Sequence, residues 1–386
     1  MSLRVSLSNK IKSLENSFEV YNKILISRSA TLHNFDLLAK FMPTGFVIPV
    51  LKSNAYGHGL CQIAEILKDR KFPYIAVDGY YEALHIQDIS KQPILVMGAI
   101  KPINYSKIKP KNCAFVVHDL DSLKAMGLTN KKFTIHIELE TGMGRHGVKI
   151  AELDSFLNEI KKFPNLYLEG VMSHLADADN PKSIEFTEEQ TKKFDKGVEK
   201  IINAGFKPKY IHLAQSSGCV KINSKYANTI RLGIALYGIS PLEESDHFSD
   251  KLRNLKPVLQ LVSTVSKIFE LDAGESVSYG RIFTAKKKSR IGVLPIGYYE
   301  GIPRAISNIG QVRFGKHCLP IAGRVCMNHT MIDVTNSKVK TNDEVLIISN
   351  NPADNNSIKN ICKNNKLFSY GLLASLNQNI RREIIN

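Results

Sequence analysis

Through the first two-thirds of the chain, eight short apolar runs alternate with helical or amphipathic stretches, and no hairpin signal separates them. The runs are 45–51, 73–77, 93–97, 113–117, 133–139, 168–173, 210–213 and 228–232. Helix-like stretches such as 82–88, 151–162 and 184–203 lie between them. Parallel strands need a crossover, usually helical, so repeated strand–helix units argue for a parallel sheet. Eight such units predict an α/β fold with an N-terminal (β/α)8 TIM-type barrel. Pro49, inside the first run, speaks against a regular central strand there.

After Pro241 the texture changes. Short β-branched runs at 261–269, 289–295, 311–314, 319–322, 331–334 and 344–348 are separated by Gly, Asn, Asp and Lys clusters. They predict a mostly β C-terminal domain with hairpins. The polar segment 350–356 reads as a loop, and a helix-like segment follows to the C-terminus. The expected organisation is an N-terminal extension at 1–16, a barrel at 17–241 and the β-rich domain at 242–386.

With 386 residues and 43% apolar content, the chain can bury a large core. No apolar stretch approaches the roughly 20 residues of a membrane span, and the polar N-terminus lacks a signal-peptide core. Six cysteines form no CxxC pair, as expected of core thiols in a reducing compartment, so a cytoplasmic location and no metal site are expected. The net charge of +16 raises the question of nucleic acid. The lysines are dispersed, with local runs only at 107–111, 192–193 and 286–288, and the chain has no tryptophan. A solvated lysine-rich surface is the better reading, with neither nucleic acid nor membrane as partner.

Lys52 closes the first apolar run and opens the polar, glycine-punctuated turn SNAYGHG. It therefore sits at the carboxyl end of a strand, where barrel enzymes carry reactive groups. Burial there would lower an ammonium pKa from about 10.4 toward neutrality, giving a nucleophile and a usable base. Other polar residues fall at strand ends too: Glu138 at the fifth, His174 at the sixth, Ser216 after the seventh, Arg231 and Gly233 at the eighth. Loops after the last two strands of such barrels often cradle a phosphate, and Ser216-Ser217-Gly218 with Gly233-Ile234 have the chemistry for it. Taken singly, each has a plainer reading: a snorkelling lysine, a helix-capping serine, a strand-end ion pair.

The string VLKSNAYGHGL resembles the pyridoxal 5'-phosphate (PLP) lysine motif of the alanine racemases. Seven further segments resemble that family in the same order: IELETGMGRHG (137–147), GVMSHLADAD (170–179), HLAQSSG (212–218), IRLGIALYGISP (230–241), GESVSYGRIFTA (274–285), SRIGVLPIGYYEGIPR (289–304) and GRVCMNHTMIDV (323–334). The resemblance implies a homodimeric, PLP-dependent racemase acting on a small amino acid, alanine, and supplying D-alanine for peptidoglycan. By the same resemblance, Lys52 carries the cofactor. Tyr56, Ser216, Gly233, Ile234 and Tyr370 hold its phosphate, and Arg231 bonds its pyridine nitrogen. Lys52 and Tyr279 are the two acid/base groups, Tyr279 being presented by the partner subunit with His174 and Arg231 behind it. Arg145 and the Met327 N–H receive the substrate carboxylate, and Tyr370 and Tyr298 narrow the pocket.

Three positions depart from the family's usual pattern. Glu138 stands where many members carry a carbamylated lysine, and as a permanent carboxylate it would steady Arg145. Asn328-His329 replaces an Asp-Gln pair, and Gln215 replaces an asparagine. A racemase of serine or another small amino acid, a PLP decarboxylase of the same plan and a non-catalytic PLP carrier are the competing readings. Tyr279 within VSYG and the presence of 242–386 count against the last two.

Overall fold

The computed structural model describes residues 18–386. The extension expected at 1–16 lies outside the described residues. The described residues form two compact units, one of residues 27–258 and one of residues 18–26 together with 259–385.

In the first unit, all eight expected strands form: Phe46–Pro49, Ile75–Val77, Ile94–Val96, Cys113–Val117, Phe133–Glu140, Leu166–Met172, Tyr210–His212 and Thr229–Leu232. From the second to the eighth, each pairs in parallel with its sequence neighbours, and the first pairs in parallel with the eighth. Between the first and second strands there is only the bridge Val50–Ala76, with the Leu51 N–H donating to the Ala76 carbonyl at 2.8 Å. Alternate residues of a strand point their N–H groups to alternate sides. Val50 donates to Leu232 on one side and Leu51 to Ala76 on the other, so Pro49 removes a donor on the second-strand side. The barrel is thus nearly closed, with its seam at the proline.

Ile48, Val50, Tyr74, Ala76, Leu95, Ala114, Val116, Met172 and Tyr210 pack in one core cluster. Most alternate along their strands, as a filled barrel interior requires. Helices cover the outside. Leu153–Lys161 buries Leu153, Phe156, Leu157 and Ile160, a spacing that makes one apolar face. Each such side chain contributes about 1.5–3 kcal/mol by leaving water.

The second unit holds a six-stranded sheet, a three-stranded sheet of Lys267–Leu271, Ser289–Leu294 and Thr330–Asp333, and a two-stranded ribbon. It is mostly β, as expected, but three local expectations need correction. The segment Asn22–Ser27, expected with the barrel, pairs antiparallel with Leu259–Thr264, Ile24 opposite Leu261. The run 261–269 is two strands, because the chain leaves the sheet at Val265–Ser266. The C-terminal segment is two helices, Ile358–Asn365 and Ser369–Ala374, followed by the edge strand Arg381–Ile385 beside Asn22–Ser27.

The division between units falls at 258/259 rather than at the expected 241/242. Residues 242–258 stay with the barrel because Asp246 forms a buried ion pair with Lys221 at 2.5 Å and Asn34 clasps Lys256 from both sides of its peptide. Among the described residues no helix is long and apolar enough to cross a membrane.

Candidate active site

Lys52 begins where the first barrel strand ends, and the turn after it is left-handed. Ser53, Asn54, Ala55 and Tyr56 all have φ between 53° and 56°. Left-handed helical backbone costs L-residues roughly 1–2 kcal/mol each, so a whole turn of it persists only where its surroundings hold it. Here the Glu82 carboxylate accepts from the Ser53 N–H at 2.6 Å, and the Asn54 side chain accepts from Leu60 at 2.8 Å. Gly57, in the same region, closes the turn with φ 82°. The Lys52 side chain is half-buried, at 35% exposure, with the Asp78 carboxylate 3.9 Å away. It is therefore less enclosed than its strand-end position suggested.

The left-handed turn brings Tyr56 against the loop after the eighth strand. A side chain at Gly233 would put its Cβ 2.7 Å from the Tyr56 hydroxyl, so glycine is required there. The Ser216 hydroxyl accepts from the Gly233 N–H at 3.0 Å and from the Ala235 N–H at 3.2 Å. Gln215 shapes the same loop, donating to the Leu175 carbonyl and accepting from Gly218. Burial pushes the Tyr56 phenol up to about 12, so it stays a neutral donor at physiological pH. A serine hydroxyl, a protonated tyrosine and the open backbone at Gly233 together suit a phosphate.

Arg231 is buried in the barrel. Its Nη1 donates to the His212 carbonyl at 2.6 Å and to His212 Nδ1 at 3.1 Å. Its Nη2 reaches the Ser173 carbonyl at 2.6 Å, the Leu213 carbonyl at 3.2 Å and His174 Nδ1 at 3.3 Å. Burial draws the guanidinium pKa down to about 10, which still leaves it charged near neutrality. Because a guanidinium only donates, His174 Nδ1 must be the acceptor. Burial, with Arg231 and Arg145 adding to it, lowers His174 to about 3, so its ring is neutral with the proton on Nε2.

Glu138 lies 4.0 Å from Arg145 but only 2.6 Å from His118 Nδ1. His118 Nε2 faces the Met97 carbonyl at 3.0 Å, which can only accept, so that nitrogen carries a hydrogen. Burial raises the Glu138 carboxyl pKa, but His118, Arg231 and Arg145 outweigh it and hold the group below the ordinary range. Arg145 itself is exposed, on a turn where the Glu140 carboxylate accepts from the Gly142 and Gly144 N–H groups.

Lys52, Tyr56, Glu138, Arg145, His174, Ser216, Arg231, Gly233 and Ile234 thus all lie in the barrel unit, at or just after the ends of strands. Tyr279, Tyr298, Met327 and Tyr370 lie in the other unit. Tyr279 is 70% exposed on a turn where Ser278, Gly280 and Arg281 have positive φ, held by the Ser278 hydroxyl donating to the Arg324 carbonyl at 2.7 Å. Tyr298 and Met327 are neighbours. The Tyr298 N–H donates to the Cys326 carbonyl, the Tyr299 N–H to that of Met327, and a Cβ at Gly297 would meet the Cys326 carbonyl at 2.2 Å. The Tyr370 ring stacks on Phe368 at 4.8 Å. Asn328 donates to Glu300 at 2.8 Å.

His118, His136 and His212 escaped the sequence reading. One signal was available for His136: it stands two residues before Glu138, and a spacing of two puts both on the same face of a strand.

The polar cluster at the barrel's strand ends is the site of an enzyme, and relatives of known class make it an amino-acid racemase. Residues 26–241 match the description "Alanine racemase, N-terminal domain" and residues 258–384 match "Alanine racemase, C-terminal domain". The chain belongs to the alanine racemase family. An alanine racemase of Geobacter sp. is 34% identical over 338 residues, 85% of this chain and 88% of that protein. One from Staphylococcus saprophyticus is 32% identical over 365 residues, 92% of this chain and 93% of the relative. Among solved structures, the alanine racemase of Bacillus anthracis with bound L-Ala-P aligns with a TM-score of 0.86 at 26% identity, over 96% of each chain. That of Clostridium difficile aligns at 0.88 with 25% identity, over 96% of this chain and 97% of that one.

Proposed function

We propose that this chain is a PLP-dependent racemase that interconverts L- and D-alanine and so supplies D-alanine for peptidoglycan. The observation that carries the reading is the set of groups at the barrel's strand ends: a lysine amine, a phosphate cradle that a side chain at Gly233 would fill, and a buried arginine. These residues fit PLP. Lys52 would hold it covalently; Tyr56, Ser216, Gly233 and Ile234 would receive its phosphate, with Tyr370 assisting. Arg231 would face the ring nitrogen. When bound, PLP supplies an electron sink that acidifies the substrate Cα–H.

The chain's own residues then perform the proton work. The Lys52 amine takes or returns the Cα proton on one face, and the Tyr279 oxygen of the partner subunit serves the other. An isolated phenol has pKa about 10 and needs help to act as a base near neutrality. A neutral His174 with its proton on Nε2 is a suitable donor to a phenolate, and the charge of Arg231 behind it acts in the same sense. Arg231, which cannot act as an acid, would offer the ring nitrogen a hydrogen bond without a transferable proton, unlike a carboxylic acid partner. Arg145 and the Met327 N–H bind the substrate carboxylate, and Tyr298 and Tyr370 limit the side chain to a small group.

The dimer is supported by exposure: Tyr279, Tyr298, Tyr299, Met327 and Phe368 all present large apolar surface in the C-terminal unit. A cytoplasmic location is supported by the six cysteines, all of which are free thiols. The deciding assay follows D-alanine formed from L-alanine while carbon dioxide is measured in parallel, with serine and other small amino acids as a panel. Carbon dioxide without D-alanine would make the chain a decarboxylase, and neither product would make it a carrier.

Glu138 takes the place of the carbamylated lysine. Its carboxylate, held ionised by His118 and the two arginines, steadies Arg145 without bound carbon dioxide. Because Arg145 is largely exposed and 4.0 Å away, the coupling is screened and worth about 1 kcal/mol, or roughly fivefold. Glu138→Gln is expected to raise KM for alanine by about that factor, with the cofactor spectrum intact and wild-type activity independent of bicarbonate. An unchanged KM, or a carbamylated lysine found in the pocket, would overturn this role.

A further inference from the structure

Behind Arg231 the polar contacts do not stop at His212. His212 Nε2 lies 2.9 Å from His136 Nδ1; His136 Nε2 is buried without a hydrogen-bond partner and faces Glu169 Oε2 at an electrostatic distance of 3.6 Å. The Tyr74 hydroxyl donates to the same carboxylate oxygen. Both imidazoles are fully buried. The direction of every proton in this chain can be derived. Arg231 only donates, so His212 Nδ1 is a lone-pair acceptor and, in a neutral ring, Nε2 carries the hydrogen. That hydrogen points at His136 Nδ1, which must accept, so His136 carries its own hydrogen on Nε2, toward Glu169.

The backbone is shaped for this arrangement. The fifth and sixth barrel strands pair Ile135 with Leu168 and then His136 with Gly170, which leaves Glu169 as the extra residue of a β-bulge. Bulges re-aim side chains in this way. At Gly170 a Cβ would lie 2.3 Å from His136 Nδ1, so only glycine leaves room for the ring. Burial lowers the pKa of both histidines, Arg231 adding to the effect; at His136 the Glu169 carboxylate opposes burial without reversing it, so both rings are neutral. Burial raises the Glu169 carboxyl, but His136, Tyr74 and Lys209 outweigh it and keep it ionised.

We propose that Glu169, acting through His136 and His212, is a positioning residue for Arg231: its carboxylate locks both imidazoles in the Nε2–H form and so keeps His212 Nδ1 an acceptor for the guanidinium. The reversed arrangement would set a His212 Nδ1–H against the Arg231 N–H, donor to donor. It would also turn the His136 Nε2 lone pair toward the carboxylate. Glu169 supplies the second of these two penalties, and Tyr74 keeps the carboxylate in place. The tautomer assignment stands on the barrel geometry, whereas its effect on the reaction rests on the reading of Arg231 as the partner of the PLP ring.

The test uses the full-length PLP-loaded enzyme carrying 15N-labelled histidine, with His136 and His212 assigned through His136→Asn and His212→Asn. Ring 15N shifts report the tautomer directly. In the wild type both rings should be neutral and protonated on Nε2. Glu169→Leu should give mixed tautomers at both rings and lower kcat by roughly tenfold, the scale on which partners behind a functional imidazole act. KM should change little. Glu169→Gln, whose carbonyl oxygen can still accept from His136, should restore the single tautomer. A proton on His212 Nδ1 in the wild type would overturn the proposal, and that spectrum decides even if Glu169→Leu fails to fold. A single unchanged tautomer in folded Glu169→Leu would overturn it as well. Mixed tautomers with unchanged kcat would support the locking by Glu169 and count instead against the part given to Arg231.

Discussion

Lys52→Ala is expected to abolish racemisation, by a factor on the order of 10⁴ or more, and to remove the visible absorption of the bound cofactor. Both losses have one cause. The lysine amine would be the covalent attachment for PLP and also the base on one face of the substrate, and a methyl group can be neither. The phosphate cradle of Tyr56, Ser216 and Gly233 is untouched by the change, so PLP should still bind, reversibly and without the conjugated carbon–nitrogen link. The absorption spectrum, followed by borohydride reduction and peptide mass mapping, separates attachment from binding. A borohydride-reducible adduct retained in Lys52→Ala would place the attachment on another amine. Asp78, 3.9 Å from the Lys52 amine, gives a useful control. Its side chain is well exposed, so Asp78→Asn should change rate only modestly and leave the visible band in place.

The barrel was legible because its strands carry a signal that periodicity can detect: short apolar runs, each separated from the next by enough chain for a crossover. All eight runs are strands, and Pro49 marks the seam rather than breaking the fold. What could not be read locally was pairing across long sequence separations. Asn22–Ser27 looks like any half-buried strand, and only its partner Leu259–Thr264, more than two hundred residues on, says which unit it joins. Arg381–Ile385 is likewise a strand because Asn22–Ser27 offers it an edge. The same limit governed the site. Lys52, Arg231 and Gly233 stand out because each sits beside a recognisable strand end. His118, His136, His212 and Glu169 do not, since their meaning lies in contacts across the barrel interior, His118 with Glu138 and the other three with each other. The left-handed turn at 53–56 was hidden for a different reason: Ser, Ala and Tyr have no preference for positive φ, so tertiary contacts impose it.

Mixing inactive Lys52→Ala subunits with inactive Tyr279→Phe subunits is expected to restore activity, to about a quarter of the wild-type level after random exchange. The figure follows from symmetry: half of the dimers are then hybrids, and each hybrid has one intact site of two. Tyr279 invites the test because it is 70% exposed on a turn held in positive-φ backbone, an arrangement that places a phenol at a surface rather than in a core. The Lys52→Ala subunit keeps its tyrosine and the Tyr279→Phe subunit keeps its lysine, so recovery requires the two groups of one site to come from different chains. No recovery after subunit exchange has been verified by mass would end that arrangement. The stereochemistry supplies an independent reading in the Tyr279→Phe homodimer. Solvent deuterium should still enter the enantiomer whose proton faces Lys52, while exchange into the other falls by a factor on the order of 10²–10⁴, the usual worth of a positioned acid/base group. Equal losses for L- and D-alanine would make Tyr279 a structural residue and leave Lys52 to serve both faces.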